Sequence, residues 1–431
     1  MSQRVLIIAY YWPPAGGPGV QRWLGFAQHL PALGYEVTVV VPENAHYPVR
    51  DESLLAAVPQ AVAVLRVPIK EPSRLASSLL RKRTNQLQKG IINKKPSPLQ
   101  DVLLWLRGNL FIPDARVGWK PAVLLALQDY CAVNKPFTLI TTGPPHSVHC
   151  IGAALKKTYN SINWLADFRD PWTTIGYHKD LKLTRWATKK HNRLEQEILD
   201  SCDALIVTSP HTATEFKAKT RTPVHIVTNG YDIAVNPRTE QPAGAFTIAH
   251  TGTLLADRNP QVLWEVLQKL LQNIPDFKDY FKLVLAGNIA ADVKASIAIY
   301  GLSDYVDYRG YVSHDAAVEL MFKSQLLLLI EINTVATKAI IAGKVFEYLA
   351  SRRPIIAIGP AGAAIATVIN QNEAGAFFLY SDATALYKHI HTRFTAYKNN
   401  QNSAIAATNV SSYSRKSLTN SLAATIQKTW E

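Results

Sequence analysis

Cysteine is scarce in this chain. Its 431 residues include three, Cys131, Cys150 and Cys202, widely spaced and with no Cys-x-x-Cys pair. That excludes a disulfide framework, argues against a structural zinc site, and makes a reducing cytoplasm the expected compartment. Long apolar runs are missing too. The longest, Val5 to Trp12, falls well short of the ~20 residues that cross a bilayer. It reads as a buried strand ended by Pro13-Pro14, not as a signal-peptide core with a cleavage site. Charged residues are few, 18% against 48% hydrophobic, which excludes bulk disorder. Acids are the scarcer sign: 32 Asp and Glu against 46 Lys and Arg leave a net charge of +14. The surplus calls for an anionic partner, whether nucleotide, nucleic acid or acidic membrane surface. No repeat of solenoid period is present.

What is present is a rhythm of short apolar runs separated by helical stretches. The length suits two domains better than one. Val5–Ala9 is followed by a Pro- and Gly-rich turn, a helix from Val20 to Leu33 and a strand at Val37–Val41. Phe137–Thr141, Asn163–Ala166, Ala204–Thr208 and His225–Thr228 continue the series. A polar loop at 229–244 precedes a second series: Ile248–Gly252, a helix at Gln261–Asn273, Lys282–Ala286, Val306–Arg309, Leu326–Ile330 and Pro354–Ile358. Continuous apolar runs of this kind belong to parallel strands covered on both faces, so the expected class is α/β with doubly wound sheets. We place one domain at 1–235, a second at 236–412, and a terminal helix at 413–431 that packs back on the first domain.

Residues 70–120 break the rhythm. Eleven basic residues stand there against three acids, a surplus of eight out of the total of 14. Apolar Val102–Leu106 and Leu110–Ile112 lie beside them. Basic residues next to Leu and Trp suit contact with an anionic membrane surface. The alternative is a solvated insertion whose apolar residues join the core.

Five motifs sit at expected strand ends, where ligands of open α/β sheets bind. In Tyr10-Tyr-Trp-Pro-Pro-Ala-Gly-Gly-Pro-Gly19, Gly16 and Gly17 let backbone N–H groups at a helix start approach a diphosphate or sugar. Pro18 interrupts any Gly-x-Gly-x-x-Gly pattern, and no Gly-Lys-Ser/Thr follows. A plain strand-helix turn is the alternative. In Thr141-Thr-Gly-Pro-Pro-His-Ser-Val-His149, His146 is the candidate at the sheet edge and His149 is read as structural. In Asp167-Phe-Arg-Asp-Pro-Trp172, the three charges form either an internal ion-pair network or a site. The segment His250-Thr-Gly-Thr-Leu-Leu-Ala-Asp-Arg258 offers a small turn and then a cation. In Gly343-Lys-Val-Phe-Glu347, a lysine begins a helix, where the dipole disfavours it without an anionic partner or solvent.

Taken in order, these motifs resemble the retaining, family-four type of GT-B glycosyltransferase, glycosyl transferases group 1. The resemblance also uses Leu285-Ala-Gly287, Gly310-Tyr-Val-Ser-His314, and Lys344-Val-Phe-Glu-Tyr-Leu-Ala followed by Arg353-Pro-Ile-Ile. It implies two Rossmann-like domains facing a cleft, the second holding a nucleotide sugar and the first a saccharide or lipid-linked acceptor. It implies no metal and no cofactor, since cations and backbone N–H groups stabilise the leaving diphosphate. By the same resemblance the catalytic set is Arg258, Lys344 and His146. The donor-binding set is Gly16, Gly17, His250, Gly252, Thr253, Gly287 and Glu347, with Glu347 on the ribose. Trp12, Arg169 and Asp170 are acceptor-side candidates.

Two departures stand out. Family members often carry glutamates eight residues apart, but Ala339 occupies the position eight before Glu347. Thr253 stands where the family has an arginine, so Lys344, or alternatively Lys338, is expected to supply the missing cation, with Lys344 preferred. The expected activity is transfer of a hexose from a nucleotide sugar, with retention, in cell-surface polysaccharide or glycan synthesis. The alternatives are a non-catalytic nucleotide-sugar-binding homologue and a GT-B epimerase. Nucleic acid is not an expected partner, because no motif for it accompanies the charge. The expected location is cytoplasmic, peripheral at the inner face of the membrane.

Overall fold

The computed structural model describes residues 3–47, 49–71, 98–134, 137–175, 178, 181–235, 244–401, 404–405 and 409–431. The chain forms two compact units, residues 1–229 with 415–431, and residues 230–414. Much of the basic segment, residues 72–97, lies outside the described residues. Among the described residues, no helix is long and apolar enough to cross a membrane.

The first unit holds a parallel sheet of seven strands. They are β1 (Gln3–Ala9), β2 (Tyr35–Pro42), β3 (Val62–Val67), β4 (Thr138–Gly143), β5 (Asn163–Phe168), β6 (Ala204–Val207) and β7 (Val224–Ile226). Their order across the sheet is β3-β2-β1-β4-β5-β6-β7. The apolar runs are continuous because both faces are covered. Leu6 and Ile8 enter the core on one side, and Val5, Ile7 and Ala9 enter the core on the other. Burying each such Val, Leu or Ile contributes roughly 1.5–3 kcal/mol. The expected helix after β1 begins earlier, at Pro18, and stops at His29. A separate turn at Pro31–Leu33 then ends on Gly34 at φ 86°. Strand β3 was not among the sequence expectations. Its residues 62–67 are only partly buried at the sheet edge.

The terminal helix, Arg415–Lys428, packs on the helix Pro18–His29 of this unit, burying Leu418, Leu422 and Ile426. Gly25 leaves the space that Arg415 fills. Beyond the helix, Trp430 Nε1 donates to Thr138 Oγ1 at 2.9 Å.

The second unit holds six parallel strands: β8 (Phe246–Thr251), β9 (Phe281–Ala286), β10 (Val306–Gly310), β11 (Leu326–Ile330), β12 (Ile355–Gly359) and β13 (Gly375–Leu379). They run in the order β10-β9-β8-β11-β12-β13. The same two-faced burial recurs, with Leu326, Leu328 and Ile330 on one side and Leu327 and Leu329 on the other. In both sheets the chain builds outward one way, then returns to the far side of its first strand. That reversal leaves a crevice at the carboxyl ends of β1 and β4 in one unit, and of β8 and β11 in the other. The fold is α/β of the GT-B kind.

Candidate functional site

The crevice of the second unit gathers charge. After β8 the backbone turns at Gly252, φ 111°, and packs against Gly287, φ 131°, so closely that a side chain on Gly287 would strike the Gly252 carbonyl. A side chain on Gly252 would come within 2.8 Å of Lys344 Nζ. Gly252 therefore makes room for a protein cation, a duty that the sequence alone did not suggest. Lys344 begins the helix Lys344–Ser351 as expected, and it is partly buried rather than fully solvated. Its ammonium donates to Thr251 O at 2.8 Å and lies 3.5 Å from His250 Nε2. Burial and the like charge of Arg258 bring its pKa down to about 8.

His250 is fully buried, and its Nδ1 lies 2.9 Å from Leu328 O. A carbonyl can only accept, so Nδ1 carries the proton and Nε2 turns its lone pair toward Lys344. Burial, then the lysine charge, keeps this ring neutral. Arg258 comes from the short turn Ala256–Arg258 and sits 3.9 Å from Glu331, whose side chain is 3% exposed. Burial raises the Glu331 pKa, against the pull of both cations. Glu347, one turn into the helix, accepts from His314 Nε2 at 2.9 Å, and this bond raises the His314 pKa. Thr253 is exposed in the turn after Gly252. Arg258, Lys344 and His250 are thus brought together with Glu331, which the sequence reading passed over as the polar residue following an apolar strand.

The crevice of the first unit is built from rings and carbonyls. Gly17, φ 105°, precedes Pro18 at the start of its helix, and Gly16 N donates to Val49 O at 3.0 Å. Gly19 is bare for an internal reason: any side chain there would collide with the Arg169 guanidinium. Arg169 in turn donates to Gly143 O at 3.2 Å and to Pro144 O. His146 is 5% exposed and stacks on Trp172 at 5.0 Å, and neither ring nitrogen has a hydrogen-bond partner. Burial, reinforced by His149, holds it neutral. His149 is structural, as expected: its Nδ1 is 2.8 Å from Thr141 Oγ1 and its ring stacks on Phe168 at 4.3 Å.

The Asp-Phe-Arg-Asp stretch divides by role. Asp167 is fully buried, takes Arg22 at 2.8 Å, and accepts from Trp23 and Thr142 at 2.8 Å each. It is the internal ion-pair network that the motif allowed. Asp170 lies beside Arg169, and burial raises its pKa. Trp12 is corrected. It is 1% exposed and part of the core under the sheet, so it presents no surface to an acceptor. Its neighbour Tyr11 is partly exposed, with the Arg169 guanidinium 6.0 Å from its ring centre.

The basic segment also divides. Arg116 and Glu71 pair internally at 3.6 Å beside Tyr10, which donates to Glu71 at 2.6 Å. Leu104, Ile112 and Trp119 join the core, whereas Val102, Trp105 and Leu110 on the helix Pro98–Leu110 stay exposed. Seven of the eleven cations fall at residues 74–95, outside the described residues.

Comparison with known proteins agrees with this architecture. Residues 245–395, within the second unit, match the family model of glycosyl transferases group 1. Solved structures match over nearly the whole chain. Sucrose-phosphate synthase from Thermosynechococcus elongatus is 15% identical, with 99% of each chain covered and a TM-score of 0.59. HepE from Anabaena, in complex with UDP and glucose, is 14% identical, covering 99% of this chain and 100% of that one, with a TM-score of 0.60. WaaG, a glycosyltransferase involved in lipopolysaccharide biosynthesis, is 14% identical, covering 98% and 99%, with a TM-score of 0.57. No curated protein matches by sequence. The expected GT-B architecture therefore stands in the fold, and the group 1 match stands over residues 245–395 of the second unit.

Proposed function

We propose that the protein transfers a hexose from a nucleotide sugar to a saccharide or lipid-linked acceptor, with retention of configuration, in cell-surface polysaccharide or glycan synthesis. The observation that carries this reading is the cation pair Arg258 and Lys344 at the carboxyl edge between β8 and β11, with Glu347 one turn along the helix that Lys344 begins. In the transfer, the bond from the anomeric carbon to the diphosphate oxygen breaks with its electron pair going to the diphosphate. A bond from the acceptor oxygen to that carbon forms, and the acceptor proton passes to the diphosphate. Charge accumulates on the leaving group, where Arg258 and Lys344 neutralise it without calling for a metal. Glu347, with one oxygen held by His314, keeps its other oxygen for the ribose hydroxyls. By the resemblance, His146 of the first unit is the residue assigned to the transferred sugar, and Arg169 and Asp170 are assigned to the acceptor. Release of nucleoside diphosphate from a panel of donors tests the reading. No release with any donor, but tight binding of one, would favour the non-catalytic homologue that Ala339 and Thr253 suggest.

A lipid-linked acceptor places the enzyme at an anionic membrane face. Exposed Val102, Trp105 and Leu110 support this, as does a second surface on the helix Arg185–Ser201. Its exposed Arg185, Trp186, Lys189, Lys190 and Arg193 fall within an arc of roughly 140° at 100° per residue. Lys182 extends this surface, and no acid interrupts residues 181–194. The two helices adjoin: Asn109 donates to Lys182 O at 3.2 Å and accepts from Thr184 N at 2.7 Å. Co-sedimentation with phosphatidylglycerol vesicles, but not with phosphatidylcholine vesicles, is the expected result. Equal partitioning onto both would sink the electrostatic part.

A further inference from the structure

Ala339 leaves the loop before the helix Lys344–Ser351 without the acid that the family pattern would place there. The structure brings a different acid to the site. Glu331 directly follows β11, at the crevice edge, and its Oε2 lies 3.9 Å from Arg258 Nη2. Its Oε1 is buried without a hydrogen-bond partner, and so is Arg258 Nε. A carboxylate this buried is costly to keep charged unless cations face it. We infer that Glu331 is a positioning residue of the donor site, whose carboxylate holds Arg258 in place and offsets the charge of Lys344 before an anionic ligand arrives. The inference rests on the reading of this crevice as the diphosphate site.

The geometry fits holding better than neutralising. A bidentate pair at hydrogen-bond distance would occupy the guanidinium donors, whereas a contact of 3.9 Å leaves them free for phosphate oxygens. The surrounding groups leave the task to Glu331. His250, from β8, is neutral, and Glu347, on the helix of Lys344, is bound to His314. Tyr348 accepts from Thr251 N at 3.1 Å, and Tyr380 donates to the Glu331 carbonyl at 2.8 Å, so neither phenol compensates the cations. Burial and Arg258 push Lys344 toward its neutral form, while Glu331 and then Glu347 work the other way.

The test is titration of the full chain with UDP, ADP and GDP by calorimetry from pH 6.5 to 9.5, for wild type, Glu331→Gln and Glu331→Asp, with thermal melts of each. A protonated Lys344 favours the bound anion, so wild-type affinity is expected to fall as pH rises through about 8. In Glu331→Gln binding is weaker at every pH through Arg258, and the fall also begins ~1 pH unit lower, which adds about a five-fold weaker Kd at pH 8. Glu331→Asp, which keeps the charge one methylene further back, lies between the two and carries the test if the glutamine variant does not fold. Wild-type affinity and midpoint in the variants would overturn the inference, as would equal weakening at every pH, which marks a merely structural residue. If wild type binds no nucleoside diphosphate, or if Arg258→Ala and Lys344→Ala leave binding intact, the donor-site reading itself fails instead.

Discussion

The two crevices occupy equivalent places in two sheets of the same design, yet they are furnished differently. In the second unit two cations, a buried carboxylate and a neutral histidine converge. The backbone is stripped to glycine at 252 so that Lys344 fits, and at 287 so that the Gly252 turn can pack against it. In the first unit a comparable cation, Arg169, is already committed to two carbonyls, and His146 is flattened on Trp172. The buried acid there, Asp167, has three donors. A site whose charges are satisfied internally serves as a rigid wall. A site whose charges are left under-coordinated is prepared for an ion.

Three substitutions would break or sharpen this contrast. The largest effect is expected from Asp167→Ala, which strands the buried Arg22 guanidinium. A loss of about 3–5 kcal/mol in stability is expected, read by denaturant unfolding, with the second unit's affinity for nucleoside diphosphate unchanged. Next comes Lys344→Ala. The fold should persist, because the ammonium bonds one carbonyl and the neutral His250 ring, but turnover should fall about 10²–10³-fold, equivalent to roughly 3–4 kcal/mol. The smallest is Gly19→Ala, which forces Arg169 off its carbonyls at a cost of about 1–3 kcal/mol in stability. It should weaken acceptor use while leaving nucleoside diphosphate binding intact. If Asp167→Ala instead spared stability and abolished activity, the contrast between a satisfied wall and a charged site would collapse.

Much of this was legible in the chain. The runs Val5–Ala9 and Leu326–Ile330 are apolar at every position because helices cover both faces, and that is a local signature. The helix beginning at Lys344 is marked by Gly343 and by its own amphipathic spacing. The edge strands β3 and β13 were not read, although both are apolar except for Arg66, since runs this short do not by periodicity separate a strand from a piece of helix. Among site residues, Lys344, Arg258, His250 and Glu347 were named from motif order. Glu331 was not, because an acid after an apolar strand looks like the first solvated residue of a loop. Trp12 was misplaced for the converse reason: an aromatic next to a ligand-like turn gives no sign of which face of the sheet it joins.

The sequence by itself determined the alternation of strands and helices, the two-domain organisation, and which residue types arrive at the carboxyl edges of the sheets. These follow from periodicity, turn residues and charge, all of them local. Only the tertiary structure decided which arriving charges are spent. Arg22 and Arg258 are the same side chain in sequence. One meets Asp167 at 2.8 Å in a closed network, and the other stops 3.9 Å from Glu331 with donors to spare. That difference depends on residues 145 and 73 positions away along the chain, brought near by strand order. Burial then sets its worth, because a charge removed from water is governed by whichever partners the fold has placed within a few ångströms.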